Sequence, residues 1–211
     1  MRYYIADTHF WHSALNEHMD QRGFESVEAM NDYMIKQWNS RVREKDEVVI
    51  LGDFSFGNVA QTKEIIDQLK GRFYLIKGNH DKVFEQSSMD ISRFVWIKDY
   101  AEIKDNKRRV VLCHYPIMFY KGQYHVHDSG IPNTYMLHGH IHDTRDTRLL
   151  EQFIKITRDT SFVDMQGKIK QLPCHLINCF CKYSDYVPLT LDEWIALTTK
   201  REELLQEMKN I

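Results

Sequence analysis

Five short clusters of acidic, amide and imidazole side chains run through this chain in order: Asp7-Thr8-His9, Gly52-Asp53, Gly78-Asn79-His80-Asp81, Cys113-His114 and Gly139-His140-Ile141-His142. Hard oxygens from Asp and Asn beside several imidazoles suit Mn, Fe, Co, Ni or Zn better than Ca, which prefers oxygen alone. The set has the composition of a dinuclear site, so two metals are implied. Taken singly, each cluster says little, because an isolated His is more often a surface or satisfied core residue than a ligand. Their joint placement decides the matter. Each follows a short apolar run, where a purely structural chain could use any turn former.

Those runs are Tyr3–Ala6, Val48–Leu51, Phe73–Ile76, Val110–Cys113 and Thr134–Leu137, each the length of a buried strand. The carboxyl ends of strands in an open α/β sheet converge on one edge, so ligands far apart in sequence can meet there. Between the first two strands Ser26 can cap a helix with Val27, Met30, Met34 and Trp38 on its apolar face. Asn58 can cap the next, which carries Val59, Ile65, Ile66 and Leu69 and ends at Gly71. The order is β-α-β-α-β. Lys104–Lys107 reads as a hairpin tip between Tyr100–Ile103 and Arg109–Cys113, which brings in antiparallel pairing. Leu176–Cys181 reads as a further strand, and Thr190-Leu191-Asp192-Glu193 as a capping box opening a terminal helix through about Met208. Between Asp143 and Gln171 the periodicity supports only a short helix around Leu149–Ile156.

The chain of 211 residues is long enough for one sizeable core and short for two, and no linker or repeat divides it, so a single domain over 1–211 is expected. Lys+Arg 28 against Asp+Glu 30 leaves no global field to draw in nucleic acid or an anionic membrane. No leader-like or membrane-length apolar run occurs, which points to a soluble, cytoplasmic protein. Cys113, Cys174, Cys179 and Cys181 lack CxxC spacing and read as reduced thiols. A zinc site from Cys174, His175, Cys179 and Cys181 would need a C-x-C at strand spacing, which suits tetrahedral chelation poorly.

The ordered motifs DTH, GD, GNHD, a His before Tyr-Pro, and GHIH resemble those of the calcineurin-like metallophosphoesterases. The likeness extends to Phe10 and His12, Trp38-Asn39, Leu51-Gly52-Asp53-Phe54 and His114-Tyr115-Pro116, as in small stand-alone bacterial and phage members, and to the Pro188–Leu197 ending. The resemblance implies an αββα sandwich of two mixed sheets flanked by helices, with the metals at one edge. It implies that Asp7, His9 and His142 ligate one ion, that Asn79, His114 and His140 ligate the other, and that Asp53 bridges both. Manganese is the expected metal. It sets His80 apart as the catalytic His, and Asp81 is expected to orient that ring by accepting a hydrogen bond.

Departures narrow the reading. GD is followed by Phe54-Ser55-Phe56 and GNHD stands for GNHE, which argues against a phosphoprotein phosphatase. Trp11 stands where small relatives often carry glycine, and residues 143–175 look like a divergent insertion without a family role. The stretch Tyr115–Tyr135 offers Lys121, Tyr124, His125 and His127 as substrate contacts, and His12 is a further candidate beside His9. His18 and His175 read as ordinary structural or surface residues. The expected activity is hydrolysis of a small phosphate ester or diester, such as a nucleotide. The alternative of a single-stranded nuclease has the balanced charge against it, and no protein partner is implied. A non-catalytic scaffold of this fold would be expected to lack ligands or the catalytic His, and all are present here.

Overall fold

The computed structural model describes residues 1–125 and 132–209. Strands β1 (Arg2–Ile5), β2 (Glu47–Ile50), β3 (Arg72–Ile76) and β4 (Phe94–Lys98) form one sheet in that order, every neighbouring pair parallel. Parallel neighbours need crossovers, and helices α1 (Val27–Arg41) and α2 (Val59–Gln68) supply the first two. Ser26 caps α1 by accepting from the Ala29 amide, and Asn58 with Gln61 forms a reciprocal capping box on α2.

The second sheet begins with a hairpin, β5 (Tyr100–Asp105) and β6 (Arg108–Cys113), turned by Asn106 and Lys107, both at positive φ. β7 (Thr134–His138) then pairs parallel to β6. After α3 (Arg145–Asp159) and a small hairpin of β8 (Ser161–Val163) and β9 (Ile169–Gln171), β10 (Leu176–Asn178) joins β7 in parallel. The order is β10-β7-β6-β5, and α4 (Leu191–Lys209) closes the chain. An antiparallel bridge from Tyr4 to Leu189 adds an opposite-running segment beside β1, so both sheets are mixed.

Alternation along the strands builds the layers. Tyr3, Ile5, Val48, Ile50, Phe73 and Leu75 face α1 and α2, packing with Met30, Met34, Trp38 and Ile65. Their neighbours Tyr4, Val49, Leu51 and Ile76 turn to the other face and meet Val110, Leu112, Leu137 and Ile177 of the second sheet. Val111, Met136 and Leu176 point outward again and are covered by Leu150 and Ile154 of α3. The result is the αββα sandwich that the family resemblance implied.

Three readings change. β4 and the β8–β9 hairpin lie outside the strands that the apolar runs predict, and α3 extends beyond Leu149–Ile156 at both ends, started by Thr144 accepting from Asp146 N. The segment expected as one strand to Cys181 leaves the second sheet at Asn178. Cys179 O then accepts from Ala6 N at 2.8 Å and Cys181 N donates to Ala6 O at 3.0 Å, so the run stitches the end of β1 to the second sheet. The four cysteines are free thiols.

Trp194 fixes α4 to the sandwich. It is 1% exposed and its indole N–H donates to Tyr4 O at 2.9 Å. Trp194→Ala is expected to cost about 3–5 kcal/mol, which lowers Tm by roughly 6–20 °C in a domain of this size. Calorimetric melting of the variant checks this; a shift within about 2 °C would mean that α4 is held mainly elsewhere.

Candidate metal centre

β1, β2 and β3 run the same way, as do β6 and β7, so the residues that follow them gather at one edge of the sandwich. Among the described residues, Asp7, His9 and His142 each place a donor atom within 4.8 Å of the others, and Asp53, His114 and His140 do the same. Asp53 ties the two groups together. Its Oδ2 lies 3.5 Å from His9 Nε2 and 3.4 Å from His114 Nε2. Asn79 joins the second group, with Oδ1 3.1 Å from His114 Nε2.

The backbone there is held out of its ordinary range. Asp7, His9, Asp53, His140 and His142 all lie at positive φ, a region unfavourable for side chains other than Gly, Asn and Asp. Neighbouring loops hold these turns in place. Asp7 N donates to Gly52 O at 3.0 Å, His9 N to Asp53 O at 2.9 Å, and His140 N to the Asp7 carboxylate at 2.9 Å. The glycine before Asn79 serves close approach, since a Cβ on Gly78 would run into the Asp53 carboxylate.

Two of the imidazoles, His142 and His114, are aimed by their far nitrogens. His142 Nδ1 lies 2.8 Å from Asp20 Oδ1, and His114 Nδ1 lies 2.8 Å from Leu51 O. Both partners only accept, so each Nδ1 carries the proton and each Nε2 is left to face the centre. His9 Nε2 and His142 Nε2 then stand 3.2 Å apart beside buried carboxylates, an arrangement whose lone pairs a divalent cation would satisfy. The donor set therefore fits a pair of transition-metal ions.

Electrostatics follow the same geometry. Burial alone would raise Asp53, but its hydrogen bond to His114 and the charges of His114 and His9 hold its carboxyl down to about 2. Asp7, fully buried, is pushed up to about 6 by desolvation against the pull of His142 and His114. Burial would lower His114, yet its hydrogen bond to Asp53 and the charges of Asp7 and Asp53 raise it to about 9. Desolvation pushes His9 well below the ordinary imidazole range.

His80 lies on the exposed rim, its ring centroid 5.6 Å from that of His9, and its backbone N–H donates to Asp53 Oδ1 at 2.9 Å. Asp81 does not serve the His80 ring as expected. Its buried carboxylate accepts from the backbone amides of Asp53, Phe54 and Gly78 at 2.8, 2.8 and 2.7 Å, locking one loop onto the other. Proximity in sequence suggested a dyad, whereas three convergent amides are the stronger attraction.

His12 stays at the site, 5.5 Å from the His9 ring. Lys121, Tyr124 and His125 do not join it. Lys121 pairs with Glu102 at 3.1 Å, and His125 O accepts from Asn133 N just before β7, at the strand end opposite His140. Tyr124 and His125 line a surface cavity with Phe162, Lys170 and Pro173 beside the β8–β9 hairpin. His127 lies outside the described residues.

Several contributors carry no motif. Asp20 and Arg22 follow a short helical turn (Leu15–Met19), and the chain folds back to place them against the Asp7-Thr8 loop after β1 and against His142. The Arg22 guanidinium donates to Asp20 Oδ2 at 3.0 Å, to Thr8 O at 2.7 Å and to Asp7 O at 3.0 Å, so it braces both the Asp7 loop and the carboxylate that orients His142. Phe180 stacks on His142 at 4.6 Å and 19°. Tyr115, next to His114 in the chain, has its ring 4.5 Å from His140.

The model of the calcineurin-like phosphoesterase superfamily domain matches residues 2–157. An uncharacterised protein of Methanocaldococcus jannaschii is 29% identical over 200 residues, covering 94% of this chain and 91% of that one. The Gene 66 protein of Mycobacterium phage D29 is 27% identical over 164 residues, 66% of this chain and 77% of its own. The crystal structure of a protein of unknown function from Aquifex aeolicus shares the fold at a TM-score of 0.63, with 22% identity over 93% of this chain and 98% of that one.

His114 supplies a pH test. In metal-free protein its raised pKa stabilises the fold fully below the unperturbed 6.5, and that contribution is lost as pH rises through about 9. An ion on His114 Nε2 must displace this proton, so apparent metal affinity should climb between about pH 6, where Asp7 ionises, and about pH 9. Manganese titrations at pH 7 in buffers of different ionisation enthalpy should register about one proton released. Affinity independent of pH, with no proton released, would remove His114 from the metal.

Proposed function

Because this chain belongs to the calcineurin-like phosphoesterase superfamily, we propose that it is a dinuclear metal-dependent hydrolase of a small phosphate ester or diester, such as a nucleotide. The observation that carries the reading is the single Asp53 oxygen facing an imidazole of each ligand group, at 3.5 and 3.4 Å. A shared carboxylate offsets the repulsion between two dications about 3.5–4 Å apart. In this reading Asp7, His9 and His142 hold one ion, Asn79, His114 and His140 the other, and Asp53 both; manganese suits the mixed oxygen and nitrogen donors. Such ions, when bound, supply a charge clamp for phosphoryl oxygens and acidify water.

The remaining chemistry falls to the protein's own groups. His80 is exposed beside the centre, and its amide bond to Asp53 Oδ1 ties its position to the shared carboxylate. From there its ring can hold a proton near the leaving oxygen and deliver it as the ester bond breaks. Asp81 positions rather than reacts, keeping Asp53 and His80 in register through the three amides it binds. No helix among the described residues is long and apolar enough to cross a membrane.

Dialysis against a chelator should abolish hydrolysis of a panel of phosphomono- and diesters, and manganese should restore it; full turnover without metal would defeat the dinuclear reading. Asp53→Asn removes the shared charge and should weaken both sites, whereas elemental analysis finding two tightly held ions would contradict the bridge.

His80→Ala should lower kcat by roughly 10²–10⁴ with metal content unchanged. The loss should be larger for alkyl or nucleoside leaving groups than for a nitrophenol, which departs without a proton. An unchanged kcat on every substrate would assign the role to another group.

A further inference from the structure

The side of the centre next to His80 is lined by rings. Phe56 lies three residues beyond Asp53 and is 50% exposed, with its centroid 5.3 Å from His80 and 4.2 Å from His12. An exposed apolar side chain is ordinary on a protein surface. Its position beside His80 and its rigid mounting set Phe56 apart from such residues.

The backbone that presents Phe56 is fixed from several directions. Phe56 N donates to Phe10 O at 2.8 Å, and Ser55 forms a parallel bridge with Phe10. The Ser55 hydroxyl lies 2.9 Å from that of Thr62 and accepts from Gly57 N at 3.1 Å. Behind the ring, His12 is held through Nδ1, which accepts from Leu15 N at 3.3 Å. Phe56 therefore stands as a supported flat surface within reach of whatever departs past His80. A preformed platform of this kind avoids the ordering cost that a flexible side chain would pay on binding.

We infer that Phe56, backed by His12, is the leaving-group platform of the centre, and that the alcohol released past His80 carries a planar unsaturated ring such as a nucleobase. This rests on the proposed role of His80, because that role places the leaving group on the Phe56 side. A base has a π-face whatever its sequence identity, and stacking on an aromatic side chain contributes about 1–3 kcal/mol per base. The corresponding loss is roughly 5- to 150-fold in affinity. Tyr115, 47% exposed and 4.5 Å from His140, lies beside the other candidate ligand group.

Equilibrium titration of the manganese-loaded protein with adenosine and with ribose tests the inference without requiring turnover. Adenosine should bind at least about 5-fold more tightly than ribose. Phe56→Ala should remove most of that difference, and Phe56→Trp should keep it. Phe119→Ala, an exposed ring packed on Phe153 of α3, should behave as the parent protein does.

Kinetics add a second readout: Phe56→Ala should raise KM for a nucleoside phosphate more than for glycerol phosphate. Adenosine binding no tighter than ribose, or an undiminished preference in Phe56→Ala, overturns the platform even if esters are hydrolysed. Adenosine binding that depends on Phe56 in a protein hydrolysing no ester would instead overturn the catalytic reading, and with it the leaving-group role, and leave Phe56 as a base-binding surface alone.

Discussion

Two carboxylates, Asp7 and Asp53, are buried among imidazoles at the edge where parallel strands end, and the local architecture serves to keep that concentration of donors in place. Removing these groups from water is costly unless charge or hydrogen bonds compensate. In metal-free protein the compensation is partial. Asp7 is left with a carboxyl pushed up to about 6 while a proton is retained on His114 up to about 9. Two cations would replace that proton and satisfy both carboxylates together, so the same crowding that burdens the fold favours uptake of metal.

The cost extends to the backbone, where Asp7, His9, Asp53, His140 and His142 adopt positive φ. Strain of that kind persists only when the surroundings over-determine it. The surroundings here are the Asp81 carboxylate clasping three amides and the buried Arg22 guanidinium clasping the carbonyls of Asp7 and Thr8. Neither group needs to meet substrate. Each converts the stability of the sandwich into a fixed position for a candidate ligand, as supporting interactions around a metal centre are expected to do.

Much of this was legible in the chain. Short apolar runs ending in Asp, Asn or His identified the strands and the edge at once, because strand direction alone decides where those residues gather. The first two helices were readable from Ser26 and Asn58, whose side chains compete for exposed amides at a helix start. What escaped depended on how loops return. Lys121, Tyr124 and His125 stand in sequence between two strands that end in candidate ligands, but the chain carries Tyr124 and His125 to the far end of β7 before re-entering the sheet. Asp81 beside His80 suggested a pair in sequence, and only the convergence of amides from a distant loop reveals its partners. Asp20 and Arg22 had no spacing to announce them, since a fold-back after a short helical turn is invisible to periodicity. The hairpin of β8 and β9 is exposed on both faces, so no alternation marks it.

The central claim is that two ions share Asp53. Diffraction from crystals soaked in manganese, recorded at the manganese absorption edge, addresses it directly. Two anomalous peaks about 3.5–4 Å apart with the Asp53 carboxylate between them are expected. A single peak, or two peaks of which only one touches Asp53, would contradict the account.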